Sequence, residues 1–303
     1  MIAAACIGMA GTWLGALMFV AAGADLPTNA AMTTAVLQDG GTAGARQADP
    51  PAAPPSTPPE KPQANTPQSN PQNGARRTAD DLGAQNAPAQ DEMTAELNAA
   101  ISRGLEYLAS IQVEDGSFGR GRYARHVAVT SLAALAFMAD GHLPGRGRYG
   151  HVVEKALKFV LNNATDTGLI AADAAHGPMY GHGFATLFLG EIYGAAPEDA
   201  RVRDALVRAV QLIVNTQNDE GGWRYNPVPY DADVSVTICE IMALRSARNA
   251  GIKVPRETID RAVAYVRACQ NPDGGFKYML QAGASAWPRT AAGVSSLFYA
   301  GIH

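Results

Sequence analysis

Four glycines, Gly116, Gly168, Gly221 and Gly274, stand 52, 53 and 53 residues apart, and the chain repeats itself around them. Arg103-Gly104-x-x-Tyr107-Leu108-x-x-x-Gln112-x-x-x-Gly116-x-Phe118 returns as Arg208-Ala209-x-x-Leu212-Ile213-x-x-x-Gln217-x-x-x-Gly221-x-Trp223. It returns again as Arg261-Ala262-x-x-Tyr265-Val266-x-x-x-Gln270-x-x-x-Gly274-x-Phe276. A degenerate copy opens at Lys155-Ala156-x-x-Phe159-Val160 and reaches Gly168, with Ala164 for the glutamine and Ile170 for the aromatic. A repeat of this period means a stack of like units, each too small to bury its own apolar face.

Each copy reads as a helical hairpin. Apolar residues at Leu105, Leu108 and Ile111 mark one face of a helix that runs into an acidic turn, Glu114-Asp115-Gly116. The glycine supplies the positive φ that a helix end needs, and the glutamine is placed to bond backbone groups there. Second helices rich in small residues follow over 128–139, 183–194, 234–247 and 291–300; they are apolar nearly all round, which predicts burial on both sides. Alternating amphipathic outer and apolar inner helices predict an all-α fold of four hairpins, an α/α toroid or open arc over residues 93–303.

The repeat resembles that of squalene–hopene and oxidosqualene cyclases, and Gln270 to Phe276 is similar to the turns of protein prenyltransferase β subunits. The resemblance implies an α/α toroid. Family cyclases protonate a polyene with Asp-x-Asp-Asp at the start of an inner helix, where this chain reads Asp231-Ala232-Asp233-Val234. Asp233 would be the acid with Asp231 beside it, and the last acid is replaced by Val234. Helix N-capping, which Asp favours, is the alternative for both. The zinc site of prenyltransferases is not carried over: the third place of its Asp-x-Cys holds Asp233, and the later histidine is missing from Arg289-Thr290-Ala291-Ala292-Gly293. The Cys-Gly-Glu-Gln of complement-type thioester domains is absent from the sequence.

Counting back 11 residues from Phe137, Tyr193 and Leu244 aligns His126, His182 and Asp233 at the inner-helix N-termini. They are expected to ring one mouth with Arg125, Tyr180 and Arg289 near, as ligand-binding residues. Neighbouring hairpins spaced by about 10 Å are too far apart to share an ion, so no metal and no cofactor is expected. Glu240, inside an inner helix, is expected to be buried and paired, with Arg245 or a neighbouring helix as partner. Cys239 and Cys269 read as small buried hydrophobes, with a disulfide as the alternative.

The N-terminal third has another character. Residues 2–24 carry no charged side chain and end Ala22-Gly23-Ala24, so residues 1–24 read as a signal peptide or membrane anchor. Eleven of the 19 prolines fall between Pro27 and Pro88, and residues 25–92 read as a disordered linker rich in Pro, Ala and Gln. A chain so built is expected in the cell envelope, exported or anchored. The net charge of −4 gives no reason to expect nucleic acid as a partner.

The expected function is binding of an apolar, isoprenoid-like small molecule or a peptide on the inner helices, with an incomplete catalytic motif. Two alternatives stand beside it: a terpenoid cyclase or prenyltransferase-type enzyme with Asp233 as acid, and a structural interaction module on a Pro-rich stalk. A second chain completing the toroid is a further possible partner.

Overall fold

In a computed structural model of the chain, the described residues are 93–172, 177–196 and 198–302. The apolar segment 1–24 and the linker 25–92 lie outside them. From Ala95 onward the described residues belong to one compact unit.

That unit is all helical. Outer helices α1 (Ala95–Ile111), α3 (Gly150–Asn162), α5 (Ala200–Thr216) and α7 (Arg256–Ala268) alternate with inner helices α2 (Val127–Ala139), α4 (Pro178–Ala195), α6 (Val234–Asn249) and α8 (Trp287–Tyr299). The inner helices pack in order, α2 on α4, α4 on α6 and α6 on α8, while outer helix α1 packs on α2, α3 on α2, α5 on α4 and α6, and α7 on α6 and α8. Among the described residues no helix is long and apolar enough to cross a membrane.

The outer helices show why they form. In α3, Val152, Val153, Ala156, Leu157, Phe159 and Val160 are buried along one face, each large side chain contributing roughly 1.5–3 kcal/mol. Inner helix α2 instead buries ten of its 13 residues. Close approach of inner helices needs small side chains. A Cβ at Gly183 of α4 would meet the Cys239 Cβ of α6 at 2.9 Å, and one at Gly181 would meet Val127 of α2 at 2.7 Å.

Two inner helices begin earlier than the sequence pattern predicts, at Pro178 rather than 183 and at Trp287 rather than 291. Proline stands in the first turn of both, where its missing N–H costs nothing.

One hydrogen bond recurs in every hairpin. The backbone N–H of the residue two past the turn glycine donates to a side chain one turn into the inner helix. The pairs are Phe118 to Thr130 Oγ1 at 3.0 Å, Ile170 to His182 Nδ1 at 3.2 Å, Trp223 to Thr237 Oγ1 at 3.1 Å and Phe276 to Thr290 Oγ1 at 3.1 Å.

The turn glycines have a second role. A Cβ at Gly116, Gly168 or Gly221 would run into the carbonyl oxygen of Lys155, Arg208 or Arg261, each on the outer helix of the following hairpin. The repeat glutamines reach the same helix. Gln112 Nε2 donates to Gly116 O at 3.1 Å and to Val152 O at 2.9 Å, and Gln217 Nε2 to Gly221 O at 2.8 Å and Thr258 O at 2.9 Å.

Glu240 is fully buried, but its expected partner is not there. Neither carboxyl oxygen has a hydrogen bond, and burial holds the group well above the usual carboxylate range. It lies against Gly183, where a Cβ would sit 3.2 Å from Oε1. Arg245 is five residues on, roughly 140° around the helix, and donates instead to Tyr299 O at 3.3 Å. Cys239 and Cys269 are buried free thiols, not a disulfide.

Candidate functional site

Trp223 and Asp233 bracket a nine-residue excursion between the third turn and α6. Trp223 is buried and anchored by its indole N–H to Ile213 O at 2.7 Å. Asp233 N donates to Trp223 O at 3.0 Å, closing the excursion at its base. At the tip, Pro227 and Pro229 each sit in a tight turn closed by a backbone bond, Val228 N to Asn226 O at 2.8 Å and Tyr230 N to Val228 O at 2.9 Å, and Val228 and Tyr230 are exposed.

The charged groups sit at the base of this loop. Arg224 donates to the Asp231 carboxylate, and that bond, ahead of any other influence, holds the guanidinium more firmly protonated than usual. Its Nε lies 3.6 Å from Asp233 Oδ2. Asp233 is fully buried and caps α6, Oδ1 accepting from Ser235 N at 2.8 Å, Val236 N at 2.9 Å and Ser235 Oγ at 2.6 Å. Oδ2 has no hydrogen bond.

Tyrosines from three successive hairpins close around this pair. Since Ser235 Oγ donates to Asp233, Tyr180 OH donates to Ser235 Oγ at 2.5 Å. Burial, more than any neighbour, pushes the Tyr180 phenol up to about 12. The Tyr180 and Tyr225 rings lie 5.9 Å apart, and Arg224 stands over the Tyr225 ring at 4.9 Å. Tyr225 and Tyr278 share a phenol-to-phenol hydrogen bond. Burial, and then that bond, raise the Tyr278 phenol above its ordinary range. Two backbone bonds hold the loop between its neighbours, Met179 N to Tyr225 O at 3.1 Å and Val234 N to Tyr278 O at 2.9 Å.

Beside the cluster lies a cavity of about 330 Å³, lined by Arg224, Tyr225, Asn226, Val228, Tyr230 and Asp231. Its wall combines two phenol rings and a valine with a guanidinium, a carboxylate and an amide. Asp233 does not line it.

The other expected residues are placed differently. His182 is fully buried, not at a mouth. Its Nδ1 accepts from Ile170 N, its Nε2 bonds Ala209 O at 3.2 Å, and burial lowers its pKa to about 4. With Nδ1 accepting, Nε2 carries the proton and donates to Ala209 O, so both ring nitrogens are occupied. The recurring hydrogen bond makes His182 the counterpart of Thr130, Thr237 and Thr290. Its expected alignment with His126 and Asp233 is therefore off by four residues, one helical turn.

The N-caps of the inner helices are His126, Gly177, Asp233 and Ala286. His126 accepts from Ala128 N at 3.2 Å, and its Cε1 would lie 3.8 Å from a Cβ at Gly181. Arg125 pairs with Asp115 and stands over the Phe159 ring at 5.8 Å. Arg289 donates to Ala284 O at 2.9 Å. Of the expected residues, the contacts join Asp231, Asp233 and Tyr180 into one cluster, and Arg224, Ser235, Tyr225 and Tyr278 complete it. Among the described residues no three His, Cys, Asp or Glu side chains come close enough to hold a metal.

Tyr225 and Tyr278 carried a readable signal. Each stands two residues past the repeat aromatic, Trp223 or Phe276, and extending the motif by two positions finds both.

Residues 88–297 match the family profile described as the prenyltransferase alpha-alpha toroid domain. The chain is also similar to a drimenyl diphosphate synthase of Streptomyces showdoensis, 26% identical over 181 residues, which is 59% of this chain and 32% of that protein. The chain thus spans about a third of the length of that relative.

Proposed function

Because the chain belongs to the prenyltransferase alpha-alpha toroid family, we propose that it binds an isoprenoid-like ligand in the cavity between Tyr225, Val228, Tyr230, Arg224 and Asp231. The cavity carries this reading. Its volume of about 330 Å³ falls at the lower end of small-molecule sites, ~300–1,000 Å³. Its wall joins two tyrosines and a valine to a guanidinium, a carboxylate and an amide, which suits a hydrocarbon chain ending in a polar head. Drimenyl diphosphate, named for the relative, is a molecule of that kind. The ligand meets Asp231 and Arg224, while Asp233 stays behind them as the cap of α6. The apolar segment 2–24 and the Pro-rich stretch after it support a place in the cell envelope for this binding domain.

A second reading, acid catalysis by Asp233, draws on the buried Oδ2 without a hydrogen bond and on the named activity of the relative. It requires the Arg224 side chain to move aside, since that guanidinium now faces Oδ2.

Native mass spectrometry of the full-length protein, with farnesol and farnesyl diphosphate as probes, separates the two. The comparison is wild type against Asp233→Asn, which still caps a helix, and against Tyr225→Ala. Binding to wild type and Asp233→Asn without conversion, weakened at least tenfold by Tyr225→Ala, is the expected result. Conversion of a probe by wild type alone establishes the acid reading in its place. Uptake of neither probe by any of the proteins overturns ligand binding at this cavity.

A further inference from the structure

Arg224 answers to two carboxylates at once. Its guanidinium donates to Asp231, its Nε faces Asp233 Oδ2 at 3.6 Å, and it stands over the Tyr225 ring at 4.9 Å. Among the described residues no second Lys or Arg comes within 4 Å of either acid. Two acids against one base leave this corner with an excess of negative charge. All of these residues belong to the third hairpin, and its inner helix α6 is packed between α4 and α8 of the same chain.

The two acids present that excess differently. Asp233 is fully buried, so bulk solvent and its salt do not reach Oδ2, and a charge in such surroundings is screened less than one in water. Asp231 has a side chain 35% exposed and lines the cavity of about 330 Å³. The cavity therefore meets the excess charge at Asp231.

Arg224 lines the cavity too, but it is not free to hold an anion. Its bond to Asp231 would have to break first, and the released carboxylate would then face the anion with Asp233 close behind. A cation meets no such obstacle. It finds the Asp231 carboxylate, and the Asn226 side-chain oxygen on the same wall accepts from an N–H. Tyr225 and Tyr230 also line this wall, and the faces of phenol rings attract positive charge and repel negative. Tyr230 is 86% exposed, which leaves its ring open to a ligand.

Resting on the reading that a hydrocarbon ligand occupies this cavity, the geometry points to a protonated amine as the ligand's polar head. The ammonium donates to Asp231 beside the Tyr225 and Tyr230 rings, while Arg224 stays paired behind it. A neutral alcohol is the second choice of such a site, and a diphosphate is the head it takes least well.

Isothermal titration calorimetry of the full-length protein at pH 7 and low salt tests this with farnesylamine, farnesol and farnesyl diphosphate. The three probes share one hydrocarbon chain, and the amine, like lysine, is protonated at this pH. In wild type, farnesylamine is expected to bind at least tenfold more tightly than farnesol, and farnesyl diphosphate more weakly than farnesol. Farnesol is expected to displace the amine, as ligands of one cavity must. Asp231→Asn keeps the size of the side chain and releases Arg224. It is expected to cost the amine at least tenfold, to leave farnesol within about twofold and to strengthen the diphosphate. An amine no tighter than the alcohol in wild type, or a diphosphate tightest of the three, overturns the proposal and leaves the cavity reading standing. An amine preference kept in full by Asp231→Asn also overturns it, because the attraction then comes from elsewhere on a protein of net charge −4. Binding of none of the three overturns the cavity reading and the proposal with it.

Discussion

At one place in the stack a histidine does the work of a threonine. His182 accepts the Ile170 N–H that Thr130, Thr237 and Thr290 accept in their own hairpins. The larger ring also reaches Ala209 O on α5, a contact with no counterpart among the threonines. Only the neutral ring can both accept and donate in this way, and burial lowers its pKa from 6.5 to about 4. The consequence for stability has a definite sign. The unfolded chain takes up the proton first, so the contribution of His182 is complete above about pH 6.5 and is lost as pH falls through 4. The full loss is on the order of 3 kcal/mol. In urea denaturation, wild type is expected to lose stability between pH 7 and pH 5, and His182→Thr to lose on the order of 2 kcal/mol less over the same interval. Equal losses in the two proteins rule this account out. Such a role could not be read from the sequence. Counting from apolar landmarks put His182 beside His126 and Asp233, and the one-turn error appears only when the hydrogen bonds show which residues are equivalent.

Among the elements, the turns carry the construction. Gly116, Gly168, Gly221 and Gly274 all have positive φ, as a helix-ending turn requires, and this much was legible from their spacing. What they make room for was not. The first three lie under a carbonyl of the next outer helix, a contact between residues about 40 apart in the chain, whereas Gly274 lies under nothing. Alanine at Gly274 therefore meets only the conformational penalty, about 1–2 kcal/mol. Alanine at Gly221 meets that penalty and must also push α7 off the turn, breaking the bond from Gln217 to Thr258 O; a further 1–3 kcal/mol is expected once that buried amide loses its acceptor. Urea unfolding of Gly221→Ala and Gly274→Ala beside wild type checks the difference. Equal destabilisation would mean that the glycines serve the turn alone. The small-residue pattern that marked the inner helices misses the first turn of two of them, which begins at Pro178 and Trp287 with proline inside it, where its missing N–H costs nothing.

The molecule as a whole, in its described part, is a short stack in which each hairpin is held by its neighbours. The family repeat and the all-α architecture were legible because register and periodicity are local properties of the sequence. The tyrosine cluster was half legible: the Asp231–Asp233 pair and Tyr180 could be singled out, but Arg224, Tyr225, Ser235 and Tyr278 come together only when three hairpins are side by side. A stack of this kind opens from its ends, since terminal units have one neighbour and internal units two. Burial is least in the two outermost helices: α1 buries only Leu105 and α8 only Gly293 and Ser296, while α2, α4 and α6 bury ten, eleven and ten residues. Amide exchange is expected to be slowest in α2, α4 and α6 and fastest in α1 and α8, and equal protection along the whole stack would show that it opens as one unit.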